Sequence, residues 1–331
     1  MRFWLTRRKY HSDNLSCLLE SESVAFMSSS SALVQRPVVA IGNFDGAHRG
    51  HGAIADRGSA LAHAAQTQAI ALTFEPHPRQ FFRPDPPMFR LTIAQDKLER
   101  LKAIGFDEVV TLPFDAALAA MSAEDFVRLI LVERLKAGGV VVGEDFHFGK
   151  GRAGTPDFLR DAGARHGFAV HFVAPYRDED GTIISSSAIR AALENGEIEH
   201  ANRLLGYEYA ISGEVLHGRK LGRDLGYPTA NIALEAGNGL KHGIYACRLS
   251  VDGITYPAIA SFGVRPHFDN GAPLLEVHVF DFSSDLYGKT VRVEFIAYLR
   301  GEEKFASLDA LIQQMNADSA KARAILGAPK A

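Results

Sequence analysis

The sequence predicts an α/β doubly wound parallel sheet followed by a small antiparallel β-barrel with a C-terminal helix. Three observations predict it. Between Val38 and Val173, short apolar, largely β-branched runs alternate with stretches at helical spacing, as buried parallel strands and their crossovers do. From Tyr209 onward, helical spacing gives way to closely spaced strands with turns between them, as in a small barrel. The last part of the chain returns to a helical pattern. With 331 residues, 47% of them hydrophobic, the chain suits two domains, each with its own core.

The elements follow in order. Val38–Ile41 (VVAI) is an apolar strand that Gly42 and Gly46 break, and a helix follows over 52–65. Residues 69–74 (AIALTF) form a second strand that runs into EPHPRQFF, where Pro76 and Pro78 stiffen a loop around His77. A helix over 94–104 carries Leu98 and Leu101 on one face, and 109–112 is another strand. Ser122 opens a helix with Asp125 three residues on, a capping-box-like start whose apolar side holds Phe126, Ile130 and Leu131. Residues 140–142 form a strand feeding the glycine loop VGEDFHFGKGRAG. Thr155 caps the next helix, with Pro156 at its first position, and 169–173 completes the sheet. A short linking helix spans 198–205. Barrel strands fall at 209–216, 245–251, 254–260, 274–282 and 291–297. The closing helix, 307–326, carries Leu308, Leu311, Ile312 and Met315 on one face. Residues 1–35 read as a polar, serine-rich, disordered extension, or as sequence upstream of a start near Met27.

Composition excludes several function classes. Lys and Arg number 36 against 39 Asp and Glu, for a net charge of −3, which leaves no basic footprint for nucleic acid. No apolar run reaches membrane-spanning length. The two cysteines, Cys17 and Cys247, lie far apart and give neither a disulfide framework nor a zinc pattern, so a cytoplasmic protein is expected. A monomer or weak homo-oligomer is expected.

The chemistry concentrates where the sheet's carboxyl ends converge. His48 and His51 sit three residues apart at a helix start, on one face, with Gly50 leaving room for a ligand at the backbone. A helix N-terminus favours phosphate, and imidazole donors there can follow charge as it builds in a transition state. A metal site is the other reading of paired histidines, but no Cys, Asp or Glu cluster lies at ligand spacing beside them. In ISSSAIR, serine hydroxyls either cap a helix or also donate to phosphate, with Arg190 one turn on to pair with phosphate oxygens. In the barrel, HGRKLGRDLGYPTANI holds Gly218, Gly222 and Gly226 among Arg219, Lys220 and Arg223, a loop suited to wrapping phosphates. Thr229 and Asn231 follow with side-chain oxygens that could ligate magnesium. Glu276, in an otherwise apolar strand, is either a structural ion-pair partner or a base in the barrel mouth.

In this order, GNFDGAHRGH, TFEPHP, VGEDFHFGKG, ISSSAIR, GRDLGYPTANI, ASFGVRPHF, LEVHVFDF and LRGEEKF resemble the bacterial bifunctional riboflavin kinase/FMN adenylyltransferases, from Val38 to the C-terminus. The resemblance implies a nucleotidyltransferase-like Rossmann domain over 36–196 and a riboflavin kinase barrel over 197–331. It implies two reactions with Mg2+ and ATP: riboflavin to FMN in the barrel, then FMN to FAD, with release of pyrophosphate, in the α/β domain. ATP, riboflavin and FMN are then the partners, with no nucleic acid and no membrane. Carried over by motif, His48 and His51 would stabilise the α-phosphate of ATP, within a site that includes Asn43, Phe44 and Gly46. Ser186, Ser187 and Arg190 would hold the β- and γ-phosphates. Pro76, His77 and Pro78 would help seat the flavin, with Asp145 nearby where some relatives have Asn. In the barrel, Gly222, Arg223 and Arg300 would line the nucleotide site, Thr229 and Asn231 would bind magnesium and phosphate, and Glu276 would be the general base. His267 stands after Pro266 where a Thr is usual. Three rivals remain: a single-activity adenylyltransferase with a flavin-binding barrel, an aminoacyl-tRNA synthetase-like enzyme, and a flavin sensor without turnover. The PTAN segment with Glu276, the lack of a KMSKS-like loop, and the His48–His51 pair argue against them in turn.

Overall fold

The computed structural model describes residues 36–217, 227–264 and 273–327, all within one compact unit. The 1–35 extension, the glycine loop with Gly222 and Arg223, and His267 lie outside the described residues.

The sheet has the order β3-β2-β1-β4-β5, all parallel. Its strands are β1 (Val38–Ile41), β2 (Ala69–Glu75), β3 (Glu108–Pro113), β4 (Gly139–Gly143) and β5 (Ala169–Val173). Central β1 is buried on both faces, which explains its unbroken apolar run. Val38 and Ala40 face α1 (Arg49–Ala64), while Val39 and Ile41 face the opposite layer. The strand order reverses between β1 and β4, so the crevice beyond their carboxyl ends is the expected ligand position.

Several helices differ in detail from expectation. Short α2 (Pro78–Phe82) follows β2. In α3 (Ala94–Ala103) Leu101 is buried as expected, but Leu98 is exposed and Lys97 takes the inner position. The Lys97 ammonium is accommodated there because it donates to the Phe74 carbonyl at 3.0 Å and the Glu75 carboxylate at 3.1 Å. After α4 (Ala116–Ala120), the Ser122 hydroxyl caps α5 (Ala123–Asp125) by accepting from the Asp125 amide. The chain then continues as a π-helix, Phe126–Arg134, which still buries Phe126, Ile130 and Leu131. Thr155 caps α6 (Pro156–His166) as its sequence requires.

Helices α7 (Ser186–Asn195) and α8 (Ile198–Leu205) lead into a closed barrel. Its strands are β6 (Ala210–Leu216), β7 (Ala230–Ile232), β8 (Gly243–Val251), β9 (Ile254–Val264), β10 (Pro273–Val279) and β11 (Thr290–Arg300). Strand β7 was not expected. It has three residues, too few for an alternating signal, and is made by pairing with β6 and β10. The closing helix α9 (Leu308–Gly327) is correctly placed, and of its expected apolar face Leu311, Ile312 and Met315 are half-buried while Leu308 is exposed. Its most buried residues are Asp318 and Ala322, and Arg300 on β11 holds the Asp318 carboxylate at 2.8 Å.

Candidate active sites

The first site is built on the turn after β1. Phe44 (φ 51°), Gly46 (φ 85°) and Ala47 (φ 36°) all have left-handed backbone, a concentration of strain that its surroundings must hold. Asp45 is the node. Its carboxylate accepts from the Leu91 amide at 3.0 Å, the Thr92 amide at 3.2 Å and the Arg190 guanidinium, and its carbonyl accepts from the Ser186 hydroxyl at 2.8 Å. Thus the turn, the loop before α3 and the start of α7 form one hydrogen-bonded body. Sequence reading passed over Asp45, although an acidic residue inside an apolar, glycine-rich turn is itself a signal.

His48 is the N-cap of α1, so the helix begins at Arg49, beside His48 as expected, and runs on over the 52–65 stretch as far as Ala64. Its Nδ1 accepts from the His51 amide at 3.3 Å, which puts the ring proton on Nε2. The His48 and His51 rings stack at 3.7 Å, with the Phe44 ring edge-on to His51 at 5.1 Å. Burial, aided by Arg190, lowers His48 to about 4. Burial, then the neighbouring His48, lowers His51 well below its usual value. Both are therefore neutral hydrogen-bonding rings near pH 7. Gly50 lines the same cavity as the two histidines, as the expected room for a ligand at its backbone requires, and its missing side chain also makes space for the histidine. A Cβ there would lie 3.1 Å from the His48 ring and 3.2 Å from the Ile184 carbonyl.

His77 caps α2, its Nδ1 accepting from the Arg79 amide at 3.1 Å. Burial lowers it to about 4. Exposed Pro76 precedes it after a cis Glu75–Pro76 bond, and Pro78 opens α2. Glu75 anchors this loop between Arg90 at 2.7 Å and Lys97 at 3.1 Å.

A cavity of about 590 Å³ brings together Asn43, His48, His51, His77, Ser186 and Arg190, with Phe44, Ser187 and Asp145 also on its wall. A second cavity of about 1030 Å³ shares Asn43, His77 and Asp145 and is walled by Phe81, Phe82, Phe114, Phe126, Phe146 and Phe148. Pro78 lines the aromatic cavity, whereas Gly46 lies behind the wall, supporting the turn. The polar part suits phosphates and the aromatic part suits a flat ring system. Arg190 is not a free cation. Two of its nitrogens are engaged by Asp45 and by the Phe89 carbonyl.

The second site lies on the barrel. Asn231 on β7 pairs in register with Glu276 on β10, which also pairs with Ser261 on β9. Leu275, Val277, Ala230 and Ile232 fill the interior, so Asn231 and Glu276 share the outward face. This corrects the expected barrel-mouth position of Glu276. Asn231 is nonetheless buried and Glu276 half-buried, with Thr229 half-buried just before the strand. Arg300 is committed to Asp318, at 2.8 and 2.9 Å, and to the Gly301 carbonyl.

Each half of the chain matches a family model: FAD synthetase over residues 31–188 and riboflavin kinase over 205–326. The bifunctional riboflavin kinase/FMN adenylyltransferase of Pseudomonas fluorescens is 43% identical over 295 residues, 89% of this chain and 94% of that one. The protein of the same name from Escherichia coli K12 is 38% identical over 294 residues, covering 88% and 94%. This chain belongs to the bifunctional riboflavin kinase/FMN adenylyltransferase family. It phosphorylates riboflavin to FMN and adenylylates FMN to FAD. A crystal structure named as a macrolide-efflux protein from Streptococcus pneumoniae superposes with a TM-score of 0.79 at 31% identity, covering 88% of this chain and 95% of that one. Among the described residues no helix is long and apolar enough to cross a membrane. In the family's terms the histidine turn falls within the FAD synthetase match and the Asn231–Glu276 pair within the riboflavin kinase match, which removes the single-activity, synthetase-like and sensor rivals.

Proposed function

We propose that the cavity around His48 and His51 is where FMN adenylylation occurs and that the outward face around Asn231 and Glu276 is where riboflavin is phosphorylated. The observation that carries the first assignment is the stacked, neutral histidine pair at the N-terminus of α1, facing the start of α7 across one cavity. A phosphate oxygen of FMN attacks the α-phosphorus of ATP, the bond from that phosphorus to the bridging oxygen breaks, and pyrophosphate leaves. The nucleophile is already anionic, so no general base is needed. Neutral imidazoles donating N–H to the α-phosphate oxygens suffice to stabilise the growing charge. Ser186, Ser187 and Arg190 take the β- and γ-phosphates, with Arg190 held in orientation by Asp45. The isoalloxazine lies in the aromatic cavity beside His77 and Pro78.

The kinase step differs because its nucleophile is an alcohol. Glu276 accepts the ribityl 5′-hydroxyl proton as that oxygen attacks the γ-phosphorus of ATP, and ADP leaves. Thr229 and Asn231 offer hard oxygens suited to magnesium. Among the described residues no cluster of three or more His, Cys, Asp or Glu forms a protein cage. With the Thr229 and Asn231 oxygens, magnesium would be held chiefly by nucleotide phosphates and water. Such an ion would offset phosphate charge when bound. Arg300 supports this site by anchoring α9 rather than by contacting phosphate. The two functional parts correspond to 36–196 and 197–331, in a cytoplasmic protein that works as a monomer or weak homo-oligomer. The test is a time course with riboflavin and Mg-ATP, resolved by chromatography, in wild type, His51→Ala and Glu276→Ala. Wild type should form FMN, then FAD; His51→Ala should stop at FMN, and Glu276→Ala should act only on added FMN. FAD formation by His51→Ala at the wild-type rate would refute the first assignment.

A further inference from the structure

The histidine turn is held by more than its own half of the molecule. Tyr207 falls in the stretch that matches riboflavin kinase, yet its hydroxyl donates to the Gly46 carbonyl at 2.5 Å, two residues before His48. Its ring is fixed in turn, because the Arg100 guanidinium lies 3.6 Å from the ring centroid. Beneath the same residue the Leu205 side chain closes in, so that a Cβ on Gly46 would meet it at 3.4 Å and Leu91 at 2.9 Å. The other end of the Gly46 peptide unit is held separately, its amide donating to the Thr92 hydroxyl at 3.2 Å. The Gly46 carbonyl leads directly into Ala47, whose left-handed backbone sets the direction in which His48 leaves the turn.

We infer that Tyr207 is a positioning residue for adenylyl transfer: its phenol fixes the Gly46 carbonyl and, through it, the backbone that aims His48 and His51. The donor is available at any working pH, since burial pushes the Tyr207 phenol up to about 12. The inference rests on the reading that this turn serves the α-phosphate of ATP.

Tyr207→Phe in the full chain removes the hydroxyl and keeps the ring on Arg100. The kcat for FMN to FAD should fall on the order of tenfold, as small misplacements of catalytic groups do. The KM for ATP should stay within about twofold, and riboflavin phosphorylation in the same preparation should be unchanged. Asp96→Asn is the control. Asp96 ties the same two halves together, accepting from Ser212 at 2.9 Å and Arg292 at 3.4 Å, without touching the turn, and its FAD formation should match wild type. A matched loss in Asp96→Asn, or an equal fall of both activities in Tyr207→Phe, would mean general packing and overturn the inference. Undiminished FAD formation in Tyr207→Phe, beside its loss in His48→Ala, would overturn the positioning role alone. Undiminished FAD formation in His48→Ala as well would overturn the reading of the turn itself.

Discussion

His48 and His51 lie three residues apart in the sequence, but their chemistry comes from burial. Exposed imidazoles would be partly cationic near neutrality, whereas these are neutral because the protein has removed them from water. His48 and His77 bind protons in the unfolded chain near their usual 6.5 and in the folded chain only at about 4. Across that window the unfolded state carries more protons, so the unfolding free energy rises with pH and is lost as acid is added. Urea midpoints measured at about pH 7, 5.5 and 4.5 should therefore fall in that order. His48→Gln should flatten part of the slope, and an unchanged slope would mean that this ring does not titrate as assigned. Asn231 supplies the converse test to His51. Asn231→Ala should lose FMN formation from riboflavin while still converting FMN to FAD, as product analysis would reveal.

At the scale of elements, the meeting of α1 with α7 depends on Gly50. Gly50→Ala would press a methyl group against the His48 ring and the Ile184 carbonyl. FAD formation should drop at least about tenfold, with FMN formation retained. Loss of both activities would point to misfolding instead. Helix α9 carries a buried charged pair in addition to the expected apolar stripe. The Arg300 and Asp318 side chains are 17% and 7% exposed, so removing Asp318 leaves the Arg300 guanidinium desolvated without its counter-charge, with the Gly301 carbonyl as its remaining acceptor. Asp318→Ala should cost about 3 kcal/mol in a denaturant melt, the low end for breaking a buried pair. A loss near zero would show Arg300 re-paired, and would return it to the candidates for nucleotide contact. Lys97 gives the same lesson in α3, where a partnered ammonium displaced Leu98 from the interior.

At the scale of the molecule, helices α7 and α8 share a continuous core with the barrel, while the sheet's apolar residues form clusters of their own. Ile189 and Leu193 of α7 and Ile198 and Leu204 of α8 are fully buried in the same apolar cluster as Val277 and Phe295 of the barrel. Cutting the chain after residue 196 would uncover the α7 side of that cluster. The shortened protein should bind a hydrophobic dye and unfold at a lower temperature than the full chain. Equal thermal stability would mean that the barrel contributes nothing to the first half.

The sequence by itself determined the order of the longer elements, though not β7 or the short helices α2 and α4, together with the two activities and the motifs that carry them. Strand runs, caps and glycine turns are local, and motif spacing survives in one dimension, so VVAI, Thr155–Pro156 and GNFDGAHRGH were legible without a fold. Tertiary structure alone decided which groups those motifs meet. It made Asp45 the anchor of Arg190, put Lys97 inside, paired Asn231 with Glu276 on the outward face, and brought Tyr207 to Gly46. Each of these joins residues distant in sequence. Their energies depend on burial and partner geometry, and neither exists until the chain has closed on itself.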